Sequence, residues 1–146
     1  MNNANPCPLC AETLPGELVR SDQFAIIDAR EPMFPGVTRV VWLEHIAEMT
    51  DLTNASRQLI MQAVFDVEAI MRQTLRPHKV NLASLGNQVA HLHWHVIPRW
   101  RDDAAFPASV WGPSTATEAS QTRKYAIEGL LNDYHQALRQ HFLVKS

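Results

Sequence analysis

The sequence predicts an α+β fold, an antiparallel sheet carrying one long helix. Three observations predict it: β-branched and aromatic runs before residue 44, helical periodicity from about residue 53, and two further strand-like runs. A strand-strand-strand-helix-strand-strand order lays the helix on one sheet face rather than between alternating parallel strands. Of the 146 residues, 46% are apolar and 19% charged, ordinary for a globular chain and contrary to disorder.

Taken in order, Leu18–Arg20 and Phe24–Ala29 read as short strands joined at Ser21-Asp22-Gln23 in a hairpin. Pro32, Pro35 and Gly36 make Arg30–Gly36 a loop. Val37–Leu43 is rich in β-branched and aromatic residues and reads as a buried strand. From Thr53 to Leu75, Leu59, Ala63, Val67, Ile70 and Thr74 recur at helical spacing, and Ile60, Val64, Met71 and Leu75 widen the stripe until Pro77 stops it. Val80–Ser84 is a strand, Leu85–Gln88 a turn, and Val89–Ile97 the last strand. Arg101–Thr117 is irregular. A second amphipathic helix is predicted over about Gln121–Phe142, where Ile127, Leu131, Tyr134, Leu138 and Phe142 recur, weakened by Gly129.

Length bounds the chain to one domain, 1–146. Thirteen basic against fifteen acidic residues give a formal charge of -2, so binding to nucleic acid through a broad basic field is not expected. No apolar run approaches the ~20 residues of a membrane span. The opening Met-Asn-Asn-Ala-Asn-Pro has no basic n-region and no apolar stretch behind it, so a cytoplasmic protein is expected.

The only cysteines form Cys7-Pro-Leu-Cys10. A disulfide is disfavoured in a reducing compartment, and a redox pair would follow a strand, which nothing before residue 7 resembles. Half of a four-ligand zinc site remains, as do free thiols.

Seven histidines are present, three of them in His91-Leu92-His93-Trp94-His95. On a strand, alternate residues share a face, so three imidazoles would line one side. Neither a core strand nor an ordinary solvent face favours such a row. Metal binding, nucleophilic catalysis and pH sensing all use imidazole. Its pKa near ~6.5 makes it a good nucleophile at neutral pH, able to attack phosphorus and leave again.

His91-Leu92-His93-Trp94-His95-Val96-Ile97 resembles the signature of the histidine triad (HIT) superfamily, and the likeness runs through residues 7 to 100 as a Cys-x-x-Cys bacterial-type member. The resemblance implies a HIT-like sheet of about five strands, with residues 101–146 as a C-terminal extension. It implies hydrolysis or transfer at the α-phosphorus of nucleoside phosphates or dinucleoside polyphosphates. His93 would carry the covalent nucleotidyl group, His95 would hold the phosphate or the leaving oxygen, and His91 would complete the catalytic trio. Asp28 would accept ribose hydroxyls. Asn81, Gly86 and Gln88 would serve the substrate, Gly86 by close backbone approach. Cys7, Cys10, His45 and His91 would bind a structural Zn²⁺, and a homodimer is expected. The alternative is a catalytically weak nucleotide-binding or scaffold protein with a structural zinc site. Trp100, Phe106 and Trp111 either cover the pocket or fill the core.

Overall fold

A computed structural model describes residues 6–144. Residues 1–5, on which the expectation of no leader rests, and residues 145–146 lie outside the described residues. Five strands form the sheet: β1 (Glu17–Arg20), β2 (Phe24–Asp28), β3 (Thr38–Trp42), β4 (Lys79–Ala83) and β5 (His93–Arg99). Their spatial order is β1-β2-β3-β5-β4, with every neighbouring pair antiparallel. β5 therefore lies between β3 and β4, and its side chains are flanked on both sides.

Helix α1 (Asn54–Thr74) begins where Thr53 Oγ1 accepts the Ser56 N–H at 3.2 Å, which satisfies one of the unpaired donors of the first turn. It ends as Arg76 takes a positive φ of 52° just before Pro77. Its buried face is Ile60, Ala63, Val64, Val67, Ile70 and Met71. These pack on Phe24, Ile26, Val40, Trp42 and Val96, the alternate residues of β2, β3 and β5. Each larger buried side chain contributes ~1.5–3 kcal/mol by leaving water. Leu59, expected in the stripe, is 36% exposed at its edge.

The opposite sheet face is covered in part by the N-terminal segment. Leu9 and Leu14 pack there on Ala25, Ile27 and Val41. The rest of that face carries Arg39, His93 and His95 and is left open for a cavity.

Two expectations are corrected. The predicted strand over Val89–Ile97 begins at His93 and runs to Arg99. Leu92 donates its N–H to Ile46 O at 2.7 Å, so the chain joins the β4 ladder only afterwards, and His91 precedes the strand. The single helix over Gln121–Phe142 is two helices, α2 (Glu118–Glu128) and α3 (Leu131–Leu143). Gly129 costs ~1 kcal/mol in a helix interior, and here Leu130 N–H turns back to Ile127 O at 2.9 Å, a tighter turn that interrupts the helix. Ile127 still reaches the core, as do Tyr134, Leu138 and Phe142 of α3. Tyr134 donates its buried hydroxyl to Thr38 Oγ1 at 2.8 Å, while Thr38 donates to Gly36 O.

Candidate active site

Cys7-Pro-Leu-Cys10 closes on itself as a short 3-10 turn, with the Cys10 N–H bonded to Cys7 O at 3.1 Å. Both thiols thereby face His45, in the loop after β3, and His91. Cys7 Sγ is 3.4 Å and Cys10 Sγ 3.5 Å from His91 Nδ1, and Cys10 Sγ is 3.3 Å from His45 Nδ1. The two Nδ1 atoms stand 3.1 Å apart, and all four ligand atoms lie within 4.8 Å of one another. A tetrahedral ion with bonds of ~2.3 Å to sulfur and ~2.0–2.1 Å to nitrogen sets ligand separations of about 3.3–3.8 Å. His91 Nε2 is 2.5 Å from Trp42 O and must donate to it. Its Nδ1 lone pair is thereby turned toward the thiols, the orientation a metal requires. Burial above all, with His45 and His93 adding to it, outweighs the bond to Trp42 and lowers His91 from the ordinary histidine value. The four residues are a possible metal-binding group, and they fit Zn²⁺.

The backbone of His91 serves the next histidine. His93 Nδ1 lies 2.6 Å from His91 O. A carbonyl only accepts, so Nδ1 carries a proton, and in the neutral ring Nε2 is the nitrogen with the lone pair. Ser84 Oγ holds His93 O at 2.8 Å and ties β5 to the end of β4. His95 sits beside His93, ring centroids 4.9 Å apart in an edge-to-face pair. Burial above all, then His93 and Arg39, pushes His95 down to about 4. Its Nδ1 is buried and has no partner among the described residues.

His93 and His95 line a cavity of about 520 Å³. Asp28, Gly86 and Gln88, expected there from the sequence, line it too. Asp28 closes β2. One of its carboxylate oxygens accepts the Arg30 N–H at 2.8 Å and the other stands 3.7 Å from His135 Nε2. Gly16 sits under this turn at φ 75°, where a Cβ would meet Asp28 O at 2.2 Å. Gly86 is required for its φ of 76°, since a Cβ there would meet nothing nearer than Val89 O at 3.6 Å. His91 is fully buried and joins the metal group instead of the cavity wall.

Asn81 does not join the cavity. Its Oδ1 accepts from Arg99 Nη1 at 3.0 Å. Arg99 is 2% exposed and meets Asp103 through two bonds of 2.8 and 3.1 Å, with a third to Ala108 O. Burial alone would raise Asp103. The Arg99 guanidinium and the N–H groups of Ala105, Phe106 and Trp100 overcome that and hold it below the usual carboxylate range. This cluster anchors the irregular segment that delivers Trp111. The Trp111 ring is 4.9 Å from that of His95, edge to face, and half exposed on the cavity wall. Trp100 is 4% exposed and fills the core.

The model of the HIT domain family matches residues 17–102. The chain belongs to the HIT domain family. AP-4-A phosphorylase of Mycobacterium tuberculosis is 33% identical over 87 residues, 56% of this chain and 45% of that protein. The chain thus spans less than half the length of the curated relatives it matches. A histidine triad protein from Bradyrhizobium japonicum superposes with a TM-score of 0.63 at 25% identity, over 80% of this chain and 87% of that one. Another from Marinobacter aquaeolei VT8 gives 0.65 at 24% identity, over 84% and 89%.

The HIT match holds β1 to β5, α1 and the histidine trio. Cys7, Cys10 and Trp111 lie outside it. Among the cavity residues that motif reasoning misses is Arg39. Arg39 is the only charged residue of Val37–Leu43, and a lone cation on an otherwise buried strand is the signal that marks it.

Proposed function

We propose that this HIT protein cleaves nucleoside phosphates or dinucleoside polyphosphates at the α-phosphorus through a nucleotidyl-His93 intermediate. One observation carries the reading: His93 Nδ1 is tied to a backbone carbonyl, while the ring lines a cavity of about 520 Å³. The tautomer is fixed before substrate arrives, so Nε2 meets phosphorus without a proton to lose. The name of the mycobacterial relatives supports a nucleotide substrate.

In the first displacement a bond forms from His93 Nε2 to phosphorus and the bond to the leaving oxygen breaks, its electron pair departing with the leaving group. Neutral His95 hydrogen-bonds the phosphate or that oxygen. In the second, water attacks phosphorus, the P–N pair returns to His93, and the proton of water passes to solvent. Asp28 receives the ribose hydroxyls, and the Gly86–Gln88 turn faces the phosphate. Cys7, Cys10, His45 and His91 hold a structural Zn²⁺. When bound, it supplies cross-linking rather than reaction chemistry, pinning the N-terminal segment to the residue whose carbonyl orients His93. The same proposal takes residues 1–146 as one domain of a cytoplasmic homodimer.

The test is turnover of diadenosine tetraphosphate, adenosine phosphosulfate and adenosine 5′-phosphoramidate by wild type and His93→Asn. Cleavage of at least one by wild type, lost in the variant, is expected. Binding of nucleotide with no product from any of the three would instead fit the catalytically weak alternative.

A further inference from the structure

Arg39 stands on β3 directly across from His95 on β5, and opposite residues of an antiparallel pair have Cβ atoms ~4.5–5.5 Å apart. Its other cross-strand neighbour is Ile27, one residue before Asp28. The side chain is 28% exposed and lines the same cavity as His93 and His95. Its partners do not use it up. Glu31 is its one ion pair among the described residues, at 3.6 Å and itself 36% exposed, a contact of the weak surface kind. Nε is buried with no hydrogen-bond partner among the described residues. A guanidinium with a buried, unpaired N–H is costly unless a ligand completes it. The imidazoles beside it offer no negative charge, and Asp28, the carboxylate of the same cavity, stands by His135 instead, so the missing partner is an anion.

The position says which anion. Val41, not Arg39, lies across from His93. Arg39 is therefore one pair further along the sheet than the attacking ring, level with His95, which meets the phosphate or the leaving oxygen, and one pair from Asp28. We propose that Arg39 forms a leaving-group subsite with His95, and that the favoured substrates are those whose leaving group carries its own negative charge, such as a di-, tri- or polyphosphate. The inference rests on the α-phosphorus reading above and adds the leaving group to it. A leaving group that departs as a stable anion needs no proton from His95, which is neutral near pH 7.

The experiment compares two substrates that share the adenylyl group. Diadenosine tetraphosphate expels ATP through its triphosphate end, whereas adenosine 5′-phosphoramidate expels ammonia. Zinc-loaded Arg39→Ala should lose roughly 30- to 100-fold in kcat/KM on the tetraphosphate, the worth of a charge-assisted contact. On the phosphoramidate it should lose less than about threefold, and Arg39→Lys should restore part of the tetraphosphate activity. Equal losses on both substrates, or none on the tetraphosphate, overturn the assignment. Inorganic tripolyphosphate binding, measured by calorimetry, is the second arm, and Arg39→Ala should weaken it about tenfold or more. If wild type cleaves neither substrate, the α-phosphorus reading fails, and this arm decides alone: weakened binding keeps the anion site, unchanged binding removes it.

Discussion

His93 is oriented by the main chain of His91, through a 2.6 Å bond from Nδ1 to the His91 carbonyl oxygen. The His91 side chain is fastened separately, by Trp42 O on one nitrogen and the thiol cluster on the other. The attacking ring and the metal group are thus joined through one residue. His91→Asn keeps the carbonyl but releases its anchor. Turnover should fall roughly 10- to 100-fold with loss of bound metal, the usual scale for a group that orients a reacting residue. Steady-state kinetics paired with metal analysis reads both. Full activity in a metal-free variant would separate the two sites.

The four-ligand group predicts about one zinc per chain in protein purified at neutral pH, by elemental analysis. Cys7→Ser with Cys10→Ser, or prolonged chelation, should remove it. Thermal midpoints should then fall by about 5 °C or more, because the ion binds the folded arrangement and not the open chain. Zinc-free protein with an unchanged midpoint would contradict the site.

His95 ties stability to pH. Its folded value of about 4 lies below its unfolded value near ~6.5. Protonation therefore favours the unfolded chain, so its contribution is present above pH ~6.5 and is lost as pH falls toward 4. Denaturant midpoints should drop over that window in wild type and drop less in His95→Gln. Parallel curves would show that His95 is not the group responsible.

Arg99 and Asp103 form a buried pair, 2% and 7% exposed. Asp103→Ala leaves the guanidinium uncompensated, and breaking such a pair costs ~3–5 kcal/mol. Chemical denaturation should show that loss. Trp111 fluorescence should also shift, because Arg99 and Asp103 anchor the segment before it through Ala105, Phe106 and Ala108.

Much of this is legible in the sequence. Thr53, the apolar stripe and Pro77 delimited α1 to within a residue at each end, because capping and periodicity are local. Asp28, Gly86, Gln88, His93 and His95, the residues that the motif resemblance names, line one cavity. Other features depend on distant partners. Strand alternation placed His91 on β5, yet the bond from Leu92 to Ile46 O holds it before the strand. Gly129 was visible as a weak point, but only the turn from Leu130 to Ile127 makes it a break. Asn81, which the resemblance assigns to the substrate, lies outside the cavity and gives its oxygen to Arg99, eighteen residues away. Arg39 matched no motif, and only cross-strand pairing sets it beside His95.

The most direct test is to mix zinc-loaded protein with diadenosine tetraphosphate and quench during turnover into alkaline denaturant, which spares a phosphorus–nitrogen bond. Peptide mass spectrometry should find one adenylyl group on His93, and none on His93→Asn treated alike. Turnover with no adduct, or with the adduct on another residue, would contradict the account.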